Sequence, residues 1–264
     1  MYAVNYHRAS SVAEAAALLE NGDAKLLSGG MTLIPAMKTR LAAPSDVVDI
    51  SRIAELRGVK VSGRTVTIGA ATTHAEVAGS AELRQVAPAV ADLASHIGDP
   101  HVRHKGTIGG SIANNDPAAD YPGAMLALAA TIVTDRREIA ADDFFTALFE
   151  TALGDGEIVT AVRFEAPEKA AYEKFRNPAS LYSMTGVFVA RTGSGVRVAV
   201  TGAGDNGVFR QSAMEAALVQ NFSPSALEGI SVSPDGLMSD LHASAEYRAN
   251  LVKVMAKRAV AKAG

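Results

Sequence analysis

Cysteine is absent from the 264-residue chain, and so is tryptophan. Without thiols this chain can hold no disulfide, no thiolate zinc site and no cysteine-ligated iron–sulfur cluster. Aromatic residues make up only 5% against 48% hydrophobic residues overall, so the core must be built mostly from Ala, Val, Leu and Ile. No excess of one charge exists: the formal net charge of −3 gives no electrostatic case for nucleic acid. Long apolar runs are also missing. Asp, Glu, Lys or Arg interrupts each Ala-rich stretch, and no membrane span is expected. The opening MYAVNYHRASSVAEA lacks a signal-peptide h-region. The expectation is a cytoplasmic, globular protein.

What is present reads as alternating elements. Ser11-Val-Ala-Glu14 fits a capping box and predicts a helix to about Glu20. A short strand over 25–28 ends at two glycines. Thr32 is placed to cap a helix running to about Leu41, with Pro35 in its first turn, and 46–50 reads as a strand. GVKVSGRTVTIGA predicts a hairpin turning at Ser62-Gly63-Arg64. Thr73-His-Ala-Glu76 repeats the capping-box pattern, and 82–97 predicts a longer helix split or kinked at Pro88. A short helix begins near Pro122 and a strand follows it. After Pro167 three antiparallel strands are expected, then helices over 211–219 and 244–262. The pattern is an α/β part of about 165 residues and then an α+β part, two ordinary domains by size.

Two glycine loops carry the chemistry. SGGMT (28–32) and TIGGS (107–111) each set a Gly-Gly turn beside small hydroxyl residues. Glycine lets a backbone approach an anion closely, and a helix start supplies unpaired N–H donors. Two such loops facing each other would cradle a pyrophosphate without a lysine, helped by the hydroxyls of Ser28, Thr32, Thr107 and Ser111. Either loop alone would be an ordinary turn. Asp116 and Asp120 flank a Pro-Ala-Ala turn and could accept from sugar or ribityl hydroxyls, or simply cap a helix.

Other motifs read as structure. Gly202, Gly204 and Gly207 match G-x-G-x-x-G, but VFRQS intervenes before a helix can start, so a turn is expected. His96, His101 and His104 with Asp99 match no metal-ligand spacing and read as loop histidines. Asp142-Asp143 reads as a helix start. No acid–base constellation emerges, so any chemistry belongs to a bound cofactor, with no catalytic residue and no metal ligand in this chain.

LLSGGMTLIPAMKTRLAAPSDVVDI and IGDPHVRHKGTIGGSIANNDPAADYPGAMLALAA closely resemble the FAD-binding medium subunit of molybdenum hydroxylases. The nearest likeness is to the medium subunits of aerobic, molybdenum-type carbon monoxide dehydrogenases. It extends over nearly the whole chain, through YHRASSVAEAAALL, ATTHAEVA, AYEKF and HASAEYRANLVKVMAKRA. The resemblance implies an α+β fold. A vanillyl-alcohol-oxidase (PCMH)-type FAD-binding domain of two α/β subdomains would span 1–167, divided near residue 55. A smaller α+β C-terminal domain, a three-stranded antiparallel sheet plus helices, would span 168–264.

Position by position, the resemblance implies that Ser28, Gly29, Gly30, Met31, Thr32 and Leu33 hold the FAD pyrophosphate together with Thr107, Ile108, Gly109, Gly110 and Ser111. Asp116 and Asp120 would meet the ribityl or phosphate region. Ile158, or its neighbour Val159, would pack near the cofactor. Lys174 and Arg176 would lie near the flavin, and Tyr182 would cover the isoalloxazine ring. Met31 stands where the family more often has His or Gln, and Leu181 where an acidic residue is commoner.

The same resemblance implies partners. A large subunit would oxidise substrate at a molybdenum–cytosine-dinucleotide centre, and a small subunit would carry two [2Fe–2S] clusters. This chain would pass electrons from those clusters through FAD to a quinone or another acceptor. A heterotrimer, commonly doubled, is implied, with peripheral contact to a quinone pool as an option. Two other readings stay open: a stand-alone FAD-dependent oxidoreductase and a non-catalytic nucleotide-binding protein.

Overall fold

A computed structural model describes residues 1–264. Its first segment is a small parallel sheet with helical crossovers. Strand β1 (Asn5–Arg8) is followed by α1 (Val12–Leu19), β2 (Lys25–Leu27), α2 (Leu33–Lys38) and β3 (Asp46–Asp49). β3 lies in the centre, parallel to both neighbours. Ser11 caps α1 by accepting from the Glu14 N–H at 3.1 Å. The Glu14 carboxylate reaches Ser10 instead of Ser11, at 2.8 Å to N and 2.6 Å to Oγ, so the reciprocal half of the box is displaced by one residue. α2 stops at Lys38 and begins without a side-chain cap from Thr32. Its first turn is instead closed by Ile34 N–H donating to Gly30 O at 3.1 Å, with Gly30 at φ +70°.

The second segment opens with the expected hairpin, β4 (Val59–Ser62) and β5 (Thr65–Gly69). A block of helices follows: α3 (His74–Gly79), α4 (Ala81–Val86), α5 (Pro88–Ser95), α6 (Pro100–Arg103), α7 (Ile108–Asn114) and α8 (Tyr121–Ala127). Thr73 and Glu76 form a complete capping box on α3. Pro88 does divide the expected long helix: α4 ends at Val86, and α5 restarts with the proline at its first position, where the missing N–H is harmless. Then come β6 (Thr131–Thr134), β7 (Glu138–Ala140), α9 (Ala141–Phe144), β8 (Phe145–Ala147), β9 (Glu150–Thr151) and β10 (Val159–Glu165). The sheet order is β4-β5-β10-β6-β7, antiparallel throughout. This segment is therefore α+β in its connectivity: β4–β5 and β6–β7 are hairpins, and β10 inserts antiparallel between β5 and β6.

The third segment holds β11 (Lys169–Arg176), β12 (Ser183–Thr192), β13 (Gly195–Thr201), β14 (Phe209–Arg210), α10 (Ser212–Gln220) and α11 (Ala245–Ala263). The expected three-stranded sheet has a fourth member. β14 is only two residues long, below what alternation can reveal, and pairs with Ala199 and Val200. The G-x-G-x-x-G stretch is a turn ahead of β14, and α10 starts only at Ser212. Gly202, at φ +79°, packs against the Ser183 carbonyl where a Cβ would collide. Arg248 of α11, 3% exposed, donates to the carbonyls of Met184 and Gly202 at 2.6 and 2.7 Å and ties the helix to that crossing.

The main core gathers β5, β6, β10, α5, α7 and α8, with Tyr121 and Phe144 fully buried. A second core lies between the third sheet and α10 and α11, and a smaller one under the parallel sheet. No helix is long and apolar enough to cross a membrane.

Candidate flavin cleft

The two glycine loops meet. Ser28 Oγ and Thr107 Oγ1 lie 3.0 Å apart, although 79 positions separate them in sequence. Gly29 packs on the backbone of Lys105 and Gly106 so tightly that a Cβ would strike the Lys105 carbonyl. Gly109 packs on Ala70, where a Cβ would come within 2.5 Å of that residue's Cβ. Between the loops opens a cleft of about 720 Å³, inside the ~300–1,000 Å³ usual for small-molecule sites.

The loops are not equivalent. The backbone N–H groups of Ser28, Gly29, Gly30, Met31, Thr32 and Leu33 have no hydrogen-bond partner within the chain. Six consecutive donors without a partner in the chain line this cleft, open to solvent or to a ligand that accepts from them. In the second loop the four donors of α7 are already committed, and only the Thr107 N–H has no partner. Ile108 N–H goes to Thr72 O at 3.1 Å, Gly109 N–H to Ala70 O at 2.9 Å and Ser111 N–H to Thr107 O at 3.0 Å. Gly110 N–H is capped by Thr107 Oγ1 at 3.2 Å. The expectation that both loops offer backbone donors therefore holds in full only for the first, the second keeping the Thr107 N–H alone. The second contributes a surface without side chains, plus the Ser111 hydroxyl.

The cleft brings together Ser28 to Leu33, Thr107, Gly109, Gly110, Ser111, Asp116, Asp120 and Tyr182. Four residues named in the sequence reading lie elsewhere. Ile108 is fully buried in the main core and Ile158 in the core under the parallel sheet, while Val159 reaches the cleft wall. Lys174 stands behind Asp120, donating to both carboxylate oxygens at 2.9 and 3.1 Å, with both side chains about 97% buried. Arg176 is exposed at the end of β11. Asp120 also accepts from the buried Tyr172 hydroxyl and makes no helix-capping bond. Burial pushes its carboxyl upward, and Lys174 and Tyr172 oppose that shift. Asp116 accepts from Ala118 N–H at 2.8 Å, which fixes the turn between the two aspartates.

Tyr182 is presented by a built turn. Asn177 Oδ1 accepts from Ala179 and Ser180 N–H at 2.9 and 3.3 Å, and Asn177 N–H donates to Tyr182 O at 2.9 Å. Leu181 takes φ +63° to close it, and Tyr182 stands 53% exposed at the cleft. The three histidines do not converge. His101 pairs with Asp99 at 3.4 Å, and His96 lies 3.9 Å from Asp92.

Several cleft residues escaped the sequence reading. His74 was read only as part of a capping box, yet its ring lines the cleft. Glu157 lines it too. Its carboxylate accepts from Arg137 at 2.9 and 3.0 Å, Thr134 Oγ1 at 2.8 Å and Gly154 N–H at 2.8 Å. The Arg137 hydrogen bonds, helped by the other two donors, hold it down from 4.5 to about 2. Cations are present after all, behind the first loop. A recess of about 550 Å³ shares Ser28 to Met31 and Thr107 with the cleft and is lined by Lys38, Arg52, Arg57 and Lys105. Of these only Arg57 has an acidic partner, Glu76. These side chains come from α2, the turn after β3 and the turn after α6, so no short motif could have grouped them.

The Glu157 network makes a prediction. A carboxyl held below its unfolded value stabilises the fold above about pH 4.5, and that contribution is lost as pH falls toward about 2. The shift corresponds to about 3 kcal/mol. Glu157→Gln is expected to lower stability by about 2–3 kcal/mol at pH 7 and to flatten the dependence across that acid window. Urea melts of both proteins at stepped pH measure this, and parallel curves would refute it.

The chain's likeness to known proteins agrees with this geometry. Residues 2–167 match the family described as the FAD binding domain in molybdopterin dehydrogenase. The carbon monoxide dehydrogenase medium chain of Hydrogenophaga pseudoflava is 35% identical, covering 97% of this chain and 95% of that one. The nicotine 6-hydroxylase medium subunit of Paenarthrobacter nicotinovorans is 33% identical, covering 99% and 98%. Reconstituted CO dehydrogenase from Oligotropha carboxidovorans superposes with a TM-score of 0.91 at 34% identity, covering 99% of this chain and 98% of that one. The six unpaired amides, the side-chain-free wall opposite them and the near full-length relatives lead to one assignment: this chain belongs to the FAD-binding medium subunits of the molybdenum hydroxylases, a family of oxidoreductase subunits.

Proposed function

We propose that this chain is the FAD-carrying subunit of a heterotrimeric molybdenum hydroxylase of the carbon monoxide dehydrogenase type. Electrons would come from the [2Fe–2S] clusters of a small subunit. They would leave to a quinone or another acceptor. Substrate would be oxidised at a molybdenum–cytosine-dinucleotide centre in a large subunit. A dimer of heterotrimers in the cytoplasm is the assembly we favour. We divide the chain into a PCMH-type FAD domain over 1–167, in subdomains of about 1–55 and 56–167, and a C-terminal domain over 168–264. The relatives differ in the substrates their names carry, carbon monoxide and nicotine among them, so the substrate is decided outside this chain.

The observation that carries the reading is the run of free amides from Ser28 to Leu33 facing a wall of glycines. That arrangement suits a pyrophosphate, and the unpaired cations behind the loop favour the same charge. FAD supplies the redox chemistry when bound. The chain's part is to fix it and exclude water. In this reading Asp116 and Asp120 meet the ribityl region, and Lys174 holds Asp120 in place. Val159 and Leu26 offer apolar wall. Tyr182 covers the flavin ring. The two buried carboxylates of the cleft, Asp120 and Glu157, are both held by cations, which favours an electron carrier over a stand-alone flavoenzyme.

The test is made on the native assembly, drawn from its source by a tag on this chain. Flavin, iron and molybdenum are quantified together. The expected result is FAD with iron and molybdenum and two co-purifying chains. FAD alone would support the stand-alone flavoenzyme, and a folded sample without flavin would refute both. Tyr182→Ala is expected to keep FAD bound and change its reoxidation rate severalfold, read by stopped-flow absorbance. An unchanged rate would remove Tyr182 from the site.

A further inference from the structure

With the α7 amides committed, the wall facing the first loop has few donors left. Thr107 Oγ1 is held between Ser28 Oγ and Gly110 N–H. Beside it, at the start of α3, stands His74. Its backbone N–H donates to Gly106 O at 2.9 Å, which locks α3 to the approach of the second loop. The residue is 4% exposed, and its ring lines the cleft. Nδ1 is sealed from solvent and has no hydrogen-bond partner. Nε2 has no partner in the chain either, and it is the nitrogen that lies over Gly106. A Cβ on Gly106 would come within 2.6 Å of it. The ring packs at a tilt on Tyr121, with centroids 5.4 Å apart, so it is fixed in place and not free to turn to water. Nε2 is thus the ring nitrogen left open to a ligand in the cleft that His74 lines, while Nδ1 stays sealed.

We propose that His74 donates its Nε2–H to an oxygen of FAD in the pyrophosphate–ribityl stretch, giving the second wall a donor beyond its one unpaired amide, that of Thr107. The proposal rests on the flavin reading above and adds a residue to it. Burial, with the Arg103 guanidinium adding to it, holds His74 down to about 4, so the ring is neutral at pH 7 and carries one proton. On Nδ1 that proton would face no acceptor. On Nε2 it meets the cleft. His74 is therefore a positioning donor of fixed tautomer, and Gly106 is glycine because a side chain there would displace the ring.

The full chain, stripped of flavin, is titrated with FAD and followed by flavin fluorescence. His74→Leu is expected to raise Kd about tenfold. His74→Gln, which keeps an N–H donor, is expected to stay within about threefold of the wild type. The melting temperature of flavin-free His74→Leu is expected not to fall, because an apolar side chain replaces an unmatched polar one. In the wild type, 15N spectra should show Nε2 protonated and its resonance shifted on adding FAD. His74→Leu binding FAD as tightly as the wild type would overturn the proposal. So would an Nε2 resonance that FAD leaves in place, a measurement that needs no variant to fold. A folded wild type that takes up no FAD would overturn the flavin reading itself, and this proposal with it.

Discussion

Gly110→Val is expected to leave the fold intact and abolish flavin binding. A Cβ on Gly110 meets only Thr107 Oγ1, at 3.0 Å, and the residue is exposed on the cleft wall. The added isopropyl group therefore enters the space between the loops and not the core. Affinity should fall at least about a hundredfold, the equivalent of ~3 kcal/mol of overpacking. The melting temperature of the flavin-free protein should stay within a few degrees. Gly29→Ala and Gly109→Ala are the contrasting controls. Their methyl groups strike the backbone of Lys105 and Ala70, so they should lower the stability of the flavin-free protein as well. Fluorescence titration and thermal melts of the three variants separate the cases. Full flavin occupancy in Gly110→Val would refute the assignment of the cleft.

Lys174→Met is expected to be the most destabilising single change in the third segment. It leaves Asp120, 3% exposed, without its cation. Breaking a buried pair from one side costs about 3–5 kcal/mol, which for a chain of this size lowers the melting temperature by roughly 10 °C. The deficit should shrink as pH is lowered, because burial already pushes the Asp120 carboxyl upward and protonation removes the stranded charge. The double variant Asp120→Asn, Lys174→Met should recover part of the loss, since an amide can still accept from the Tyr172 hydroxyl. A double variant less stable than Lys174→Met would show that Asp120 is held by something other than Lys174.

Local signals were legible where they are complete within a few residues. The capping box at Thr73, the break at Pro88, the hairpin at Ser62-Gly63-Arg64 and the start of the last helix near Ser244 all follow from short-range chemistry. The two glycine loops were also found, because glycine beside hydroxyl residues is a dense signal. What the sequence could not show is which loop keeps its donors. That depends on Thr72 and Ala70, whose carbonyls reach the second loop from the turn after β5 and satisfy its amides. The role of Lys174 behind Asp120 was hidden for the same reason: 54 residues separate a pair that only the docking of α8 on the third sheet brings together. β14 was missed because two residues carry no period. Thr32 was misread as a cap because Gly30, in a left-handed conformation, starts the turn two residues earlier.

The contact between Ser28 and Thr107 has a thermodynamic consequence. It adds one hydroxyl pair, worth about 1 kcal/mol, to the packing of Gly29 on Lys105 and Gly106 between two walls far apart in sequence. With no cysteine to cross-link them, the walls would gain further joining from whatever lies between. A bound dinucleotide touching both would act as a reversible staple. Its grip would grow with concentration, adding about 4 kcal/mol at a thousand times its Kd. The protein's resistance to unfolding would then track the local supply of flavin, rising when the cofactor is abundant and falling when it runs short.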